Sequence, residues 1–162
     1  MPGPALGTIR IVTLLRQDRA TDIIYAFGKA PRRGNLIDNF HHGRTGNLMM
    51  AIDIESGLCD DAWAANSHGP GLVRCERHPD TGVAFRSVRI PRWPEVLDVC
   101  RRAAQAFSEL KTVGWDVAVT PEGVTIIEAN WHYDPDGIQI VMGRGIRSEI
   151  MRHFARAAGP AR

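Results

Sequence analysis

Apolar and polar positions along this chain fall into short β-rich runs in its first half and amphipathic stretches in its second. Thr8-Ile9-Arg10-Ile11-Val12-Thr13-Leu14-Leu15 is dense in β-branched residues and of strand length, which predicts a strand. A polar connector, Arg16 to Thr21, leads into Asp22-Ile23-Ile24-Tyr25-Ala26-Phe27-Gly28, a second strand, so the pair reads as a hairpin. Leu48 to Ile54 and Leu58 to Ala64, separated by Glu55-Ser56-Gly57, predict another hairpin with a glycine turn. Between the two hairpins, Pro31 to Asn47 is loop-like, with Gly34, Gly43 and Gly46 among Asn, His and Arg. Residues 65 to 86 lack apolar periodicity and hold His68, His78, Pro70 and Pro79, which predicts a long surface loop.

Pro94-Glu95 opens a helix, since proline suits the first helical turn and glutamate the positive end of the macrodipole. Val96, Leu97, Val99, Cys100, Ala103, Ala104 and Phe107 give it an apolar stripe. A last helix is expected from about Ile146 to Ala158, with Ile146, Ile150, Met151, Phe154 and Ala158 on one side. Hairpin strands with segregated helices predict an α+β fold with a largely antiparallel sheet and flanking helices. The expected organisation is an irregular Pro/Gly-rich leader, 1–7, and a single domain, 8–160.

The 162 residues, 44% of them hydrophobic, suffice for one domain with a real core. No run reaches the length of about 18 apolar residues that a membrane span needs, and the start lacks the features of a signal peptide. Cys59, Cys75 and Cys100 form no CxxC pair, so neither a disulfide framework nor a zinc knuckle is expected, and the chain reads as cytoplasmic. Of twenty cations eighteen are Arg and only Lys29 and Lys111 are Lys; eighteen acidic residues are interspersed with them, and no basic stripe with interleaved aromatics argues for nucleic acid. Arg101 and Arg102 fall on the polar side of the expected helix, where solvation explains them.

The most informative stretch is Val113-Gly114-Trp115-Asp116-Val117-Ala118-Val119-Thr120, then Pro121-Glu122-Gly123, then Val124-Thr125-Ile126-Ile127-Glu128-Ala129-Asn130. Pro-Glu-Gly between two β-rich runs predicts a hairpin. If Thr120 faces Val124, Asp116 lies opposite Glu128 on one face, and Asn130 shares that face because strand side chains alternate. Opposed carboxylates repel unless a cation sits between them. Two carboxylates and an amide oxygen are hard ligands that suit magnesium, which also bridges to substrate phosphates. Spacing alone leaves a second reading open, with Asp116 exposed at the strand start and Glu128 solvated.

Gly114-Trp115-Asp116 followed by Ile126-Ile127-Glu128-Ala129-Asn130 resembles the C-terminal lobe of ATP-grasp ligases, with its metal-binding Asp on one strand and Glu-x-Asn on the next. Thr8-Ile9-Arg10 and Asp38-Asn39-Phe40-His41-His42-Gly43 resemble the family's arginine strand and its asparagine- and glycine-bearing loop. His78-Pro79-Asp80-Thr81-Gly82, Ile90-Pro91-Arg92-Trp93-Pro94 and the Gly114-Trp115-Asp116 strand are most similar to the sugar-transfer-associated, α-L-glutamate ligase-related group. The resemblance covers about residues 8 to 142.

It implies ATP and magnesium, up to two ions, with Asp116 on one ion, Glu128 bridging and Asn130 on the second. It implies adenine contact for Ile127, phosphoryl and acyl-phosphate stabilisation by Arg10, a further cation at Lys29, and phosphate or acceptor contact by Asn39. The implied activity is ATP-dependent activation of a carboxylate for transfer to an amine or other nucleophile, in polysaccharide or sugar-transfer biosynthesis. The implied N-terminal and central lobes are not seen in the sequence, so a partner chain supplying a lobe is expected. The competing readings are a non-catalytic binding or assembly module and a metal hydrolase using Asp116, Glu128 and one histidine.

Other chemistry-bearing residues have structural explanations. His41 and His42, adjacent on an extended chain, would point to opposite faces and not share one ion. His78 either acts in catalysis or shapes a Pro/Gly turn. Trp93 and Trp115 are expected in packing, and Trp131, His132 and Tyr133 either shape an acceptor pocket or pack structurally.

Overall fold

The computed structural model describes residues 5–158. Residues 1–4 of the expected leader, and residues 159 and 160 of the expected domain, lie outside the described residues. Seven strands, β1 (Ile9–Leu15), β2 (Thr21–Ala30), β3 (Leu48–Ile52), β4 (Cys59–Ala65), β5 (Leu72–Cys75), β6 (Thr112–Thr120) and β7 (Gly123–Asn130), join three helices, α1 (Trp93–Ala106), α2 (Asp136–Met142) and α3 (Arg147–Ala157). The strands form one antiparallel sheet in the order β5-β4-β3-β2-β1-β6-β7. The α+β expectation therefore holds. Among the described residues no helix is long and apolar enough to cross a membrane.

Helices cover both faces of the central strands, which is why β1 and β2 read as nearly continuous apolar runs. On one face Ile9, Ile11, Trp115 and Val117 pack with Val96, Leu97 and Cys100 of α1. On the other, Val12, Leu14, Phe27 and Met49 pack with Ile138 and Val141 of α2, Ile146 and Ala157. Burying either set stabilises the fold by on the order of 25 cal/mol per Å² of apolar surface removed from water. Both expected packing tryptophans are in the core: Trp115 donates to Thr13 Oγ1 at 2.8 Å, and Trp93 to the Ile54 carbonyl at 2.8 Å. Gly57, in the β3–β4 turn with φ 72°, has no room for a side chain, because a Cβ there would stand 2.6 Å from Trp93 Cγ.

Several elements depart from expectation for physical reasons. The expected loop over 65–86 contains β5, a short edge strand with only partial burial and so little apolar alternation to read. The seven-residue α2 was not anticipated because it buries only Ile138 and Val141. In α3 the inward side runs through Ile150 and Ala157, while Met151 and Phe154 are exposed, so the expected stripe was rotated. Phe107 caps α1 and is exposed. His41 and His42 are not extended but sit in a tight turn with φ of 44° and 54°.

The hairpin between β6 and β7 carries the most consequential difference. Its loop is one residue tighter than expected, with Thr120 opposite Gly123 and Val119 opposite Val124. Taken alone, that shift would move Glu128 off Asp116. The register shifts back between Val117 and Asp116, where Ile127 is the extra residue of a β-bulge. Beyond it Asp116 faces Glu128 and Gly114 faces Asn130, the pairing expected from the sequence.

Candidate active site

The helices position the site by what they leave open. On the face shared by Arg10, Lys29, Asp116 and Glu128, α2 packs mainly on β2, β3 and β4, and α3 on β1. The Asp116 end of β6 and β7 remains accessible on that side, and Glu128 is exposed there.

Arg10 and Asp116 are cross-strand partners on β1 and β6. The Arg10 Nε donates to Asp116 Oδ1 and its Nη2 to Oδ2 at 2.8 Å, a bidentate pair. Lys29 Nζ, arriving from β2, donates to the same Oδ2 at 3.0 Å and stands 3.8 Å from Asp38 Oδ1. Asp38 Oδ2 in turn accepts from the Thr8 amide at 2.9 Å and the Thr8 hydroxyl at 2.5 Å. Two cations and two carboxylates thus alternate in the order Arg10 (β1), Asp116 (β6), Lys29 (β2) and Asp38 (the loop after β2). Burial would raise the Asp116 carboxyl, but the Arg10 guanidinium and the Lys29 ammonium outweigh it and hold it below the usual carboxylate range.

Gly114 makes room for this pairing. A Cβ there would lie 3.0 Å from Arg10 Cδ and 3.1 Å from Tyr133 Cβ. Tyr133 lies alongside β6, with its hydroxyl 2.8 Å from Thr112 Oγ1.

Glu128 stands opposite Asp116 and makes no ion pair among the described residues. The Asn130 Nδ2 is buried without a hydrogen-bond partner among the described residues, an orphaned polar group at the same end of the hairpin. Ile127 is 53% exposed, as the extra residue of a bulge on an edge strand can be. Asn39 is exposed, and its carbonyl accepts from Thr45 Oγ1 at 2.6 Å and Asn47 Nδ2 at 2.9 Å. The cluster thus contains Arg10, Lys29 and Asp116 with Glu128 and Asn130 beside them, and it takes in Asp38 where Asn39 had been singled out. Asp38 and Thr8 were missed as site residues although both lay in the motifs quoted.

The donor set is all oxygen where it is open. Glu128, Asn130 and the remaining lone-pair capacity of Asp116 fit a hard cation that completes its shell with water and substrate oxygens, as magnesium does. They do not make a closed protein cage, and among the described residues no group of three or more His, Cys, Asp or Glu is assembled as one.

The chain matches the family described as sugar-transfer associated ATP-grasp over residues 3–155. It belongs to that family. No curated protein matches it. It is an ATP-grasp ligase-type domain, a family that implies binding of ATP and a substrate, and the paired cations of the Asp116 cluster are suited to phosphate oxygens.

The His78-Pro79-Asp80-Thr81-Gly82 stretch is a clamp. His78 Nδ1 accepts from the Asp80 amide at 3.2 Å, which turns Nε2 toward the Pro31 carbonyl at 3.3 Å. Asp80 takes Arg32 in a bidentate pair at 2.8 and 2.9 Å and the Arg33 amide at 2.7 Å. These bonds, Arg32 first, draw the Asp80 carboxyl down to about 2. In this ATP-grasp domain His78-Pro79-Asp80-Thr81-Gly82 therefore anchors the loop that follows β2, the strand bearing Lys29.

Proposed function

We propose that this domain uses ATP to activate a carboxylate as an acyl phosphate, which an amine or other nucleophile then opens, in polysaccharide or sugar-transfer biosynthesis. The observation that carries the reading is the convergence of Arg10 and Lys29 on Asp116 while Glu128, directly across the ladder, has no cation of its own among the described residues. A site with two fixed cations and one uncompensated carboxylate is prepared for a phosphate chain and a further cation together.

A substrate carboxylate oxygen bonds to the γ-phosphorus, the β–γ bridging bond breaks, and ADP leaves. The nucleophile then bonds to the acyl carbon, phosphate departs, and the proton of the nucleophile is lost. Arg10 spends two of its five N–H groups on Asp116, and the other three can meet the equatorial oxygens of the transferring group. Lys29 offers further donors from the β2 side, its position fixed by Asp116 and Asp38. Asp116 holds both cations in place and keeps them pointed at one spot. Magnesium, when bound, neutralises charge on the phosphate oxygens, with Glu128, Asn130 and Asp116 as the residues that would hold it. Ile127 presents an apolar side chain for the base, and Asn39, on the loop after β2, contacts the phosphates or the acceptor. The open face over β7 is where a partner segment would close on the nucleotide.

A second reading, binding without turnover, is favoured by one observation: both Asp116 oxygens already carry cations. Hydroxylamine trapping separates the two. Acyl phosphate formation expects hydroxamate and ADP in equal amounts from ATP and a suitable sugar acid or amino acid, lost in Arg10→Gln and Glu128→Gln. Nucleotide binding with no hydroxamate across a panel of carboxylates supports the binding module.

A further inference from the structure

Beyond the far end of β1 from Asp116, a cavity of about 390 Å³ is lined by Arg16, Thr21, Asp22, Arg101, His153 and Arg156. It lies roughly 20 Å from Arg10 along the strand direction, six residues at the β-rise, and shares no lining residue with the cluster around Asp116. Its three arginines come from three places in the fold: the end of β1, α1 and α3. Arg16 is occupied by Asp18 at 2.7 Å and by Asp22 at 3.8 Å. Among the described residues no carboxylate lies within ion-pair distance of Arg101 or Arg156. Asp18 and Asp22 thus compensate Arg16, while Arg101 and Arg156 on the same cavity lack a carboxylate partner among the described residues and attract an anion.

Guanidinium forks are matched to phosphoryl oxygens, and several donors around one centre favour a phosphate over a carboxylate. The volume lies within the range of about 300–1,000 Å³ typical of small-molecule sites, and exceeds what a bare ion requires.

We propose that this cavity is a second ligand site of the domain, one that recognises the phosphoryl group of a small phosphate ester. The test is calorimetric titration of the full chain with a hexose phosphate and with inorganic phosphate, each against chloride at constant ionic strength. Arg101 and Arg156 are exposed, so Arg101→Gln/Arg156→Gln retains the melting temperature, and either single variant gives the same direction of change. The hexose phosphate binds the unaltered chain, and the double variant binds it about tenfold or more weakly, as expected for lost charge-assisted hydrogen bonds. Glu128→Gln binds it unchanged, which separates this site from the ATP site. Tighter binding of the ester than of inorganic phosphate supports a small phosphate ester. No binding by the unaltered chain, binding undiminished in the double variant, or preference for the free ion overturns it.

Discussion

Arg10 Nη2 donates to Asp116 Oδ2 at 2.8 Å across the β1–β6 ladder, while Nε of the same guanidinium takes the other oxygen. Removing one partner of a fully buried pair costs about 3–5 kcal/mol, because the other charge is left uncompensated. Arg10 keeps some exposure and Lys29 remains beside Asp116, so Arg10→Ala is expected to lower the unfolding free energy by about 2 kcal/mol. Urea unfolding measures it. A double-mutant cycle with Asp116→Asn should show a favourable coupling energy between the two side chains, whereas additive effects would mean that they are not coupled.

Gly114→Ala tests whether the bare backbone at that position is needed for the same pairing. Its Cβ would stand 3.0 Å from Arg10 Cδ and 3.1 Å from Tyr133 Cβ, inside van der Waals contact. Overpacking of this kind costs about 1–3 kcal/mol, and here the expected loss is near the lower end because Arg10 is an adaptable side chain. The Arg10–Asp116 coupling energy should fall with it. Unchanged coupling in the Gly114→Ala background would remove the role given to this glycine.

The clamp between Asp80 and Arg32 sets an acid limit on the loop after β2. The folded Asp80 carboxyl titrates near 2, below the ordinary value of about 3.9 in an unfolded chain. A depressed value means that the stabilising contribution is present above about pH 3.9 and disappears as pH falls through 2. Carbon-detected NMR should find this midpoint, and Arg32→Gln should return it toward the ordinary range. An ordinary midpoint in the unaltered chain would show that the bidentate pair does not persist in solution.

Much of this site was legible because strand chemistry is local. The β-branched run around Arg10 and the glycine-turned hairpins have strong short-range patterns, and α1 has a full apolar stripe. Asp116, Glu128 and Asn130 were placed on one face by counting across the hairpin, although the loop proved one residue shorter. Two opposite departures, the tight turn and the bulge at Ile127, cancel by the time the ladder reaches Asp116. No local signal in Thr125-Ile126-Ile127 marks a bulge, since every residue there suits a regular strand. Asp38 was illegible for a different reason: its bonds to Thr8 and approach to Lys29 join segments far apart in sequence. The seven-residue α2 and the edge strand β5 carry too few buried side chains to leave a period.

The bulge itself separates fold from function. Removing Ile127 would leave Val117 opposite Ile126 and Asp116 opposite Glu128 in an uninterrupted ladder, with side-chain alternation intact. The Ile127 deletion is therefore expected to keep the fold, with a melting temperature close to that of the full sequence, yet to bind ATP about tenfold more weakly through loss of an apolar contact with the base. Calorimetry checks both. Undiminished ATP affinity in a folded deletion variant would place the base elsewhere.

Glu128 is exposed, unpaired among the described residues, and opposite Asp116, so Glu128→Gln should fold as well as the unaltered chain. A ligand that binds only the folded state raises stability by about 2.7 kcal/mol at a hundredfold excess over its dissociation constant. The most direct measurement is the melting temperature of the unaltered chain and of Glu128→Gln, each with and without magnesium and ATP together. An ATP and metal site at Asp116, Glu128 and Asn130 predicts a clear rise for the unaltered chain and its loss in Glu128→Gln; an equal rise in both, or none in the unaltered chain, would contradict it.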